Sequence, residues 1–321
     1  MKIALITPAA PHAKNGNRNT AERWSHFLRQ LGHRVDVLTS WSGAHADMMI
    51  ALHARRSHDS IRRFASAHPG RSLVVVLTGT DLYRDIRSDK TAQESLRLAT
   101  HLVVLQERGP DELAPELRQK TRVIYQSATP APPSPPLKTR FQVCVVGHLR
   151  EEKDPFRCAY ALPLLPAESS ISVIQIGRAL APEMAQVARE TMLHEPRYRW
   201  LGELPHWLVR RKLAQSRLLV VSSRMEGGAN VICEAVTAGV LVIASAIPGN
   251  IGMLGGDYQG YFPLGDEGAL ARLLRRAETD AGFYRRLQDQ CAAREPLFRP
   301  EHEKEGLRRL LEEIERTNGQ E

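Results

Sequence analysis

The sequence predicts an α/β protein of two lobes, each a parallel sheet covered by helices. Three observations predict it. Short runs rich in Val, Ile and Leu recur along the chain, and between them apolar residues fall at helical spacing. The runs are nearly continuous rather than alternating, as strands buried on both faces must be. Five prolines crowd into the seven residues from Pro130 to Pro136, a stretch that can neither propagate a helix nor join a central strand and so reads as an extended linker. At 321 residues the chain has the length of two domains of about 150 residues each.

The elements follow in order. Lys2–Ile6 is the first buried strand; its apolar run is far shorter than the roughly 7–15 residues of an export signal. The next helix places Ala21, Trp24, Phe27, Leu28 and Leu31 on one face, with Asn19 as N-cap and Glu22 three residues on to complete a capping box. Strands are predicted at Arg34–Thr39, Leu73–Leu77, His101–Leu105 and Arg122–Tyr125, and beyond the linker at Gln142–Val146, Ser172–Ile176, Leu218–Ser222 and Leu241–Ala244. Leu307, Leu310, Leu311 and Ile314 lie at helical spacing in a charged stretch and predict an amphipathic C-terminal helix. The expected division is an N-terminal lobe over 1–129, a linker over 130–138, a second lobe over 139–296 and a helix over 297–321 that can pack back on the first lobe.

Composition narrows the class. Hydrophobic residues make up 42% and charged residues 25%, values of a soluble globular protein. No stretch approaches the roughly 18 apolar residues of a membrane span. Cys144, Cys158, Cys233 and Cys291 are scattered and sit in apolar runs or helices, so buried thiols and a reducing, cytoplasmic compartment are expected. The net charge of +8 admits nucleic acid, an anionic membrane surface or small anionic substrates. The basic residues are dispersed and aromatics are only 6%, so no single-strand-binding surface is visible.

In open parallel sheets ligands bind beyond the carboxyl ends of the strands, which singles out three loops. After the first strand, His12 to Thr20 runs into a helix: Gly16 permits close backbone approach, Lys14 and Arg18 add positive charge, and the helix start offers N–H groups to an anion. The Gly-x-Gly-x-x-Gly of a dinucleotide site is absent. In the second lobe Gly147-His148-Leu149-Arg150-Glu151-Glu152-Lys153 follows a strand, with Asp154 as N-cap and Pro155 at the first helical position, so Arg150 and Lys153 lie where a diphosphate could be gripped. After Leu218–Ser222 comes Glu226-Gly227-Gly228-Ala229-Asn230, then a helix carrying Glu234 about one turn in. Two carboxylates would flank one anion-binding turn, suited to accepting hydrogen bonds from sugar and ribose hydroxyls.

With these motifs the chain resembles family-4-type glycosyltransferases. The resemblance implies two Rossmann-like lobes whose sheets face each other across a cleft, the GT-B fold, with the nucleotide-sugar held by the C-terminal lobe. Lys153 matches the phosphate-binding Lys of the family's Gly-Arg-Leu-x-x-x-Lys segment. His148 stands where the family usually has Arg, and Arg150 is close enough in sequence to substitute. Glu226 and Glu234 match the family's Glu-x7-Glu pair, the first beside the donor sugar and the second at the nucleotide ribose. Gly16 falls at the Gly-rich loop that approaches the donor phosphates.

A narrower likeness rests on Thr7-Pro8, the Gly16–Ala21 segment, Leu77-Thr78-Gly79-Thr80-Asp81-Leu82-Tyr83, and the Ile247–Gly255 turn, where the family often carries Gly-Gly-x-x-Glu. In these the chain is similar to the selenosugar synthases of selenoneine biosynthesis. That similarity implies a UDP-sugar donor, N-acetylglucosamine or glucose as the transferred sugar, selenophosphate as acceptor, and a functional link to other selenoneine-pathway enzymes. Arg150 and Lys153 would stabilise the leaving diphosphate. Asn17, Arg18 and Thr20 would hold the acceptor or the donor phosphates, and Thr80 and Asp81 would line the acceptor side, though a capping or turn role fits Asp81 equally. Neither a metal nor a cofactor is expected: His194 and His206 lie outside any ligand spacing, and an Asp-x-Asp signature is absent. The rival readings are a glycosyltransferase with a hydroxyl acceptor, a nucleic-acid-binding protein and a silent nucleotide-sugar sensor; no membrane or nucleic-acid partner is expected of the favoured one.

Overall fold

A computed structural model describes residues 1–11, 15–130 and 140–318. The linker stretch Ala131–Pro136 and Lys14 lie outside the described residues. By packing, the chain divides into two units. The first comprises Met1–Gln126, Glu226–Gly228 and Pro300–Glu321, and the second Ser127–Met225 and Ala229–Arg299.

The first unit is a parallel six-stranded sheet of β1 (Lys2–Ile6), β2 (Arg34–Leu38), β3 (Met48–Leu52), β4 (Leu73–Leu77), β5 (His101–Val104) and β6 (Thr121–Val123), in the order β2-β1-β3-β4-β5-β6. Successive side chains point to opposite faces, which divides its core in two. Ile3, Leu5, Met48, Ile50, Val74, Val76 and Val103 join one cluster, while Ala4, Ile6, Met49, Ala51, Val75, Leu77 and Val104 join the other. The first face is covered by the helix Gly16–Gln30 through Ala21, Trp24 and Leu28. The last helix, Pro300–Asn318, covers it too: Leu307, Leu310, Leu311 and Ile314 are all buried in that cluster. Beneath them Glu303 is fully buried, its carboxylate accepting from Arg23 Nε at 2.6 Å and from Trp24 Nε1 at 2.7 Å.

The second unit repeats the architecture with β7 (Phe141–Val146), β8 (Ile171–Ile176), β9 (Tyr198–Trp200), β10 (Leu218–Val221), β11 (Leu241–Ser245) and β12 (Tyr261–Phe262), all parallel, in the order β12-β11-β10-β7-β8-β9. The four cysteines are free and buried; burial pushes the Cys144 and Cys158 thiols up to about 12. Among the described residues no helix is long and apolar enough to cross a membrane.

Three strands were not foreseen. β3 reads Met-Met-Ile-Ala-Leu, with a single β-branched residue, yet all five side chains are buried between β1 and β4, so position in the sheet overrides propensity. β9 and β12 are edge strands of three and two residues, too short to show a period. The expected ends at Thr39, Leu105, Tyr125 and Ser222 fall outside their strands, which stop one or two residues earlier.

Candidate functional site

Each sheet contains one place where the connections leave in opposite directions, and ligands of such sheets lie beyond the carboxyl ends of the strands there. In the second unit this reversal lies between β7 and β10. The loop after β7 is held firmly. Gly147 N–H donates to Ile176 O at 2.9 Å, Leu149 N–H to Arg178 O at 2.9 Å, and Arg178 N–H to His148 Nδ1 at 3.3 Å. Leu149 is buried against Phe156 and Ala188. This close passage requires a glycine at 177: a Cβ there would overlap the Gly147 carbonyl and come within 2.9 Å of His148 N, and the backbone has φ +152. The His148 ring is thus part of the scaffold of this loop.

Arg150 leads into a 3-10 turn at Glu151–Lys153, closed by the Lys153 N–H to Arg150 O at 3.0 Å. A Cβ on Gly147 would lie 3.8 Å from Lys153 Cγ and Cδ, so the lysine stem runs directly over that glycine. Two further bonds lace this loop to the one after β10: Arg224 N–H donates to Glu152 O at 2.8 Å, and Ser222 Oγ to Asp154 O at 2.8 Å. The sequence expectation for Asp154 and Pro155 is corrected here. Asp154 is a left-handed residue (φ +42) ending the 3-10 turn, and the helix begins only at Arg157. Its carboxylate meets the Arg157 guanidinium at 2.9 Å instead of capping backbone N–H groups.

Beyond β10 the helix Asn230–Thr237 starts after Ala229, a residue with no capping side chain. Glu234 lies one turn in and is buried. Its Oε1 accepts from His206 Nε2 at 2.9 Å and from Asn230 Nδ2 at 3.3 Å. His206, set aside in the sequence for lack of ligand spacing, is one residue that sequence reasoning missed; a contact between two helices 28 residues apart leaves no periodic signal.

Glu226, Gly227 and Gly228 pack with the first unit, apart from the rest of their segment. A Cβ on Gly227 would clash with the Thr78 carbonyl, and one on Gly228 would lie 2.6 Å from Leu105 Cβ, so both glycines answer to close approach. Glu226 is buried. Together with Glu112 its charge adds to burial in pushing the Tyr83 phenol well above its usual range.

The reversal of the first sheet lies between β1 and β3. Here the capping expectation is corrected: the N-cap is Asn15, whose Oδ1 accepts Arg18 N–H at 3.1 Å, and not Asn19. Gly16, Asn17, Arg18, Asn19 and Thr20 therefore form the first turns of the helix rather than a loop. Arg18 pairs with Glu22 at 2.7 Å. Thr20 is buried, its hydroxyl donating to Gly16 O at 2.9 Å and accepting from Gln126 at 2.5 Å, so its expected place on the acceptor is already occupied by protein. Asp81 is likewise fully buried: Oδ1 accepts the N–H groups of Thr78 and Gly79 at 3.0 and 2.8 Å, and Oδ2 that of Ala54 at 3.0 Å. It takes the turn role. Thr80 stays half-buried with its hydroxyl 3.2 Å from His53 Nε2.

His53, immediately after β3, has φ +72, a left-handed conformation costly for a residue with a Cβ. Burial lowers its pKa against the opposing charges of Asp81 and Asp85. It escaped the sequence reading because β3 did. Among the described residues no three His, Cys, Asp or Glu side chains gather into a metal-binding group.

With this geometry in hand, the comparisons with known proteins decide the family. The profile of the family described as "Glycosyl transferases group 1" matches residues 130–294, just over half of the chain. The chain belongs to the group 1 glycosyl transferases. Solved structures agree on the fold of this group 1 glycosyl transferase, two Rossmann-like parallel-sheet units of the GT-B type. HepE from Anabaena, in complex with UDP and glucose, is similar with TM-score 0.77 at 17% identity over 98% of this chain and 100% of its own. Sucrose-phosphate synthase from Thermosynechococcus elongatus gives 0.76 at 16% identity over 98% and 99%. An E. coli protein bound with UDP-2-fluoro glucose gives 0.72 at 11% identity over 98% and 99%. No curated protein sequence matches the chain significantly.

Proposed function

We propose that this group 1 glycosyl transferase transfers N-acetylglucosamine or glucose from a UDP-sugar to selenophosphate, forming a 1-seleno sugar for selenoneine biosynthesis. The observation that carries the donor half is the reversal point between β7 and β10. There a rigid loop bearing Arg150 and Lys153 is laced to the loop after β10, and Glu234 follows one turn into the next helix. Cations on one loop and an uncapped helix start following the loop bonded to it suit a diphosphate, and a buried carboxylate suits ribose hydroxyls. UDP and UDP-2-fluoro glucose bound in proteins of the same fold support a UDP donor.

In this reading Glu234 accepts the ribose hydroxyls, and the backbone of Gly227, Gly228, Ala229 and Asn230 faces the donor. Glu226 stands by the transferred sugar, and His148 keeps the phosphate loop in place. Gly16, Asn17 and Arg18, at the start of the first helix, attract anionic groups, with Thr80 near the acceptor. The selenium of selenophosphate attacks C1 of the sugar as the C1–O bond to UDP breaks and UDP leaves with the electron pair. Arg150 and Lys153 take up the charge developing on the diphosphate, so the step calls on no metal ion and no cofactor. Such a nucleophile is already anionic and needs positioning more than deprotonation. Hydrolysis of the Se–P bond then releases phosphate and the selenol. The substrates are small cytoplasmic molecules, and neither nucleic acid nor membrane takes part.

The test is direct. Purified protein incubated with UDP-N-acetylglucosamine and selenophosphate should release UDP and yield a selenium-containing sugar by mass spectrometry. UDP release only with a hydroxyl acceptor would sink the selenium half, and no UDP release with any acceptor would sink the transferase reading.

A further inference from the structure

Glu234 is held in an unsymmetrical way. Its Oε1 accepts two N–H donors, His206 Nε2 at 2.9 Å and Asn230 Nδ2 at 3.3 Å. Oε2 accepts none of the hydrogen bonds found among the described residues. The Glu234 side chain is only 8% exposed, whereas that of His206 is 65% exposed. A buried carboxylate with one oxygen doubly bound and the other left over is what a binding group needs and a purely structural one does not. An ionised carboxylate is acceptor-only, so Oε2 calls for a hydroxyl or N–H and repels a phosphate. The terminal torsion of Glu is broad and two-fold, so one long bond from Asn230 would let the two oxygens exchange places. The shorter bond from His206 fixes which oxygen points where.

We infer that His206 is a positioning residue for nucleotide binding, locking Glu234 by Oε1 so that Oε2 accepts a hydroxyl of the nucleotide ribose. The inference rests on the proposal that Glu234 meets the ribose. His206 opens the helix His206–Ala214 directly after Pro205, whose ring fixes the approach of the chain. That helix packs on Asn230–Thr237 and on β7. From the first comes Glu234. From β7 comes Cys144, which burial keeps as a neutral thiol, and on its own helix His206 has Arg210. The hydrogen bond to Glu234 raises the His206 pKa above its usual 6.5, against burial and the Arg210 charge. The charge-assisted bond is therefore fully present at and below pH 6.5 and is lost as pH rises through that raised value, leaving a weaker neutral bond. Nucleotide affinity should follow it.

The experiment measures Kd by calorimetry for UDP, 2′-deoxy-UDP and 3′-deoxy-UDP with the full chain, His206→Ala and His206→Gln, between about pH 6 and pH 8.5. Wild type should prefer UDP over at least one deoxy analogue by about tenfold, the scale of one hydrogen bond to a charged group. His206→Ala should reduce that preference to within about twofold, because the carboxylate is no longer locked. His206→Gln keeps a donor but cannot titrate, so it should retain the preference. Wild-type affinity should fall by about threefold to tenfold relative to His206→Gln as pH rises across this range. Titration of the diphosphate itself is common to both proteins and cancels in that ratio. Wild-type preference and pH profile retained in His206→Ala would overturn the inference while leaving the nucleotide site intact. A wild type that binds UDP without discriminating the deoxy analogues, or does not bind UDP, would instead remove the ribose reading and this inference with it. Most of the His206 side chain is in solvent and Gln keeps a donor to Glu234, so His206→Gln should melt close to wild type, and a lower melting temperature in His206→Ala leaves the comparison of Kd values in the folded protein intact.

Discussion

Gly177→Ala puts the rigidity of the phosphate loop to a quantitative test. The added Cβ would overlap the Gly147 carbonyl and crowd His148 N at 2.9 Å. Both obstacles are backbone, and the N–H groups on either side of them, those of Gly147 and Leu149, are bound to Ile176 and Arg178, so no flexible side chain can absorb the strain. Reaching a tolerable separation moves the Gly147–His148 peptide by about 1 Å, and overpacking of that kind costs roughly 1–3 kcal/mol. The positive φ at 177 adds about 1 kcal/mol. Urea unfolding should therefore show a loss of about 2–4 kcal/mol. Because Arg150 and Lys153 ride on the displaced loop, kcat/KM for UDP release should fall by about 100-fold in whatever fraction stays folded. Gly16→Ala is the control: its Cβ meets nothing within 4 Å, so stability should change by no more than about 0.5–1 kcal/mol, in the stabilising direction. Equal stability of the two variants, or wild-type turnover in Gly177→Ala, would refute the claim that this glycine shapes the loop.

Lys153→Ala should lower kcat by about 100- to 1,000-fold with an unchanged melting temperature, and near-wild-type turnover would take the lysine out of the site. Turnover should survive a chelator; a loss restored by a divalent ion would contradict charge neutralisation by Arg150 and Lys153 alone. Glu303→Ala should cost about 3–5 kcal/mol in urea unfolding, because it leaves the Arg23 charge and the Trp24 N–H without their buried partner. Burial holds the His53 pKa below 6.5, so its stability contribution is complete above pH 6.5 and is lost as pH falls from 6.5 to the lowered value. His53→Asn, which tolerates the left-handed backbone, should flatten that part of the stability profile; an unchanged slope would show that His53 does not titrate there.

How much of this was legible in the sequence depends on the length scale of each signal. β4, Leu-Val-Val-Val-Leu, announced itself because both faces are buried and every residue is aliphatic. β3 did not, because Met, Ala and Leu are equally at home in a helix. With β3 went His53, whose interest lies wholly in its place at a strand end. Capping residues read differently in the two lobes: Asn15, Asn17 and Asn19 lie within about a turn of one another, whereas Asp154 stands alone in its loop and takes an arginine instead of backbone N–H groups. The choice between Asn15 and Asn19, or between a capping and an ion-paired Asp154, turned on partners such as Arg157. Lys153, Glu226 and Glu234 were visible as a pattern. The lock on Glu234 was not, because His206 reaches it from another helix.

The composition of the first unit bears on how the protein is made. Its sheet is finished by β6 at Val123, yet part of the lid over one face, Leu307 to Ile314, is synthesised only after the whole second unit. Burying those four side chains is worth roughly 6–12 kcal/mol, on the scale of the entire net stability of a domain. A nascent chain would therefore carry an unsealed apolar face on its first unit while the second was already complete, so the usual order of folding from the N-terminus is inverted. Slow translation across the second unit should lengthen that exposure, and chaperone dependence should track the arrival of the last helix rather than the completion of the first sheet.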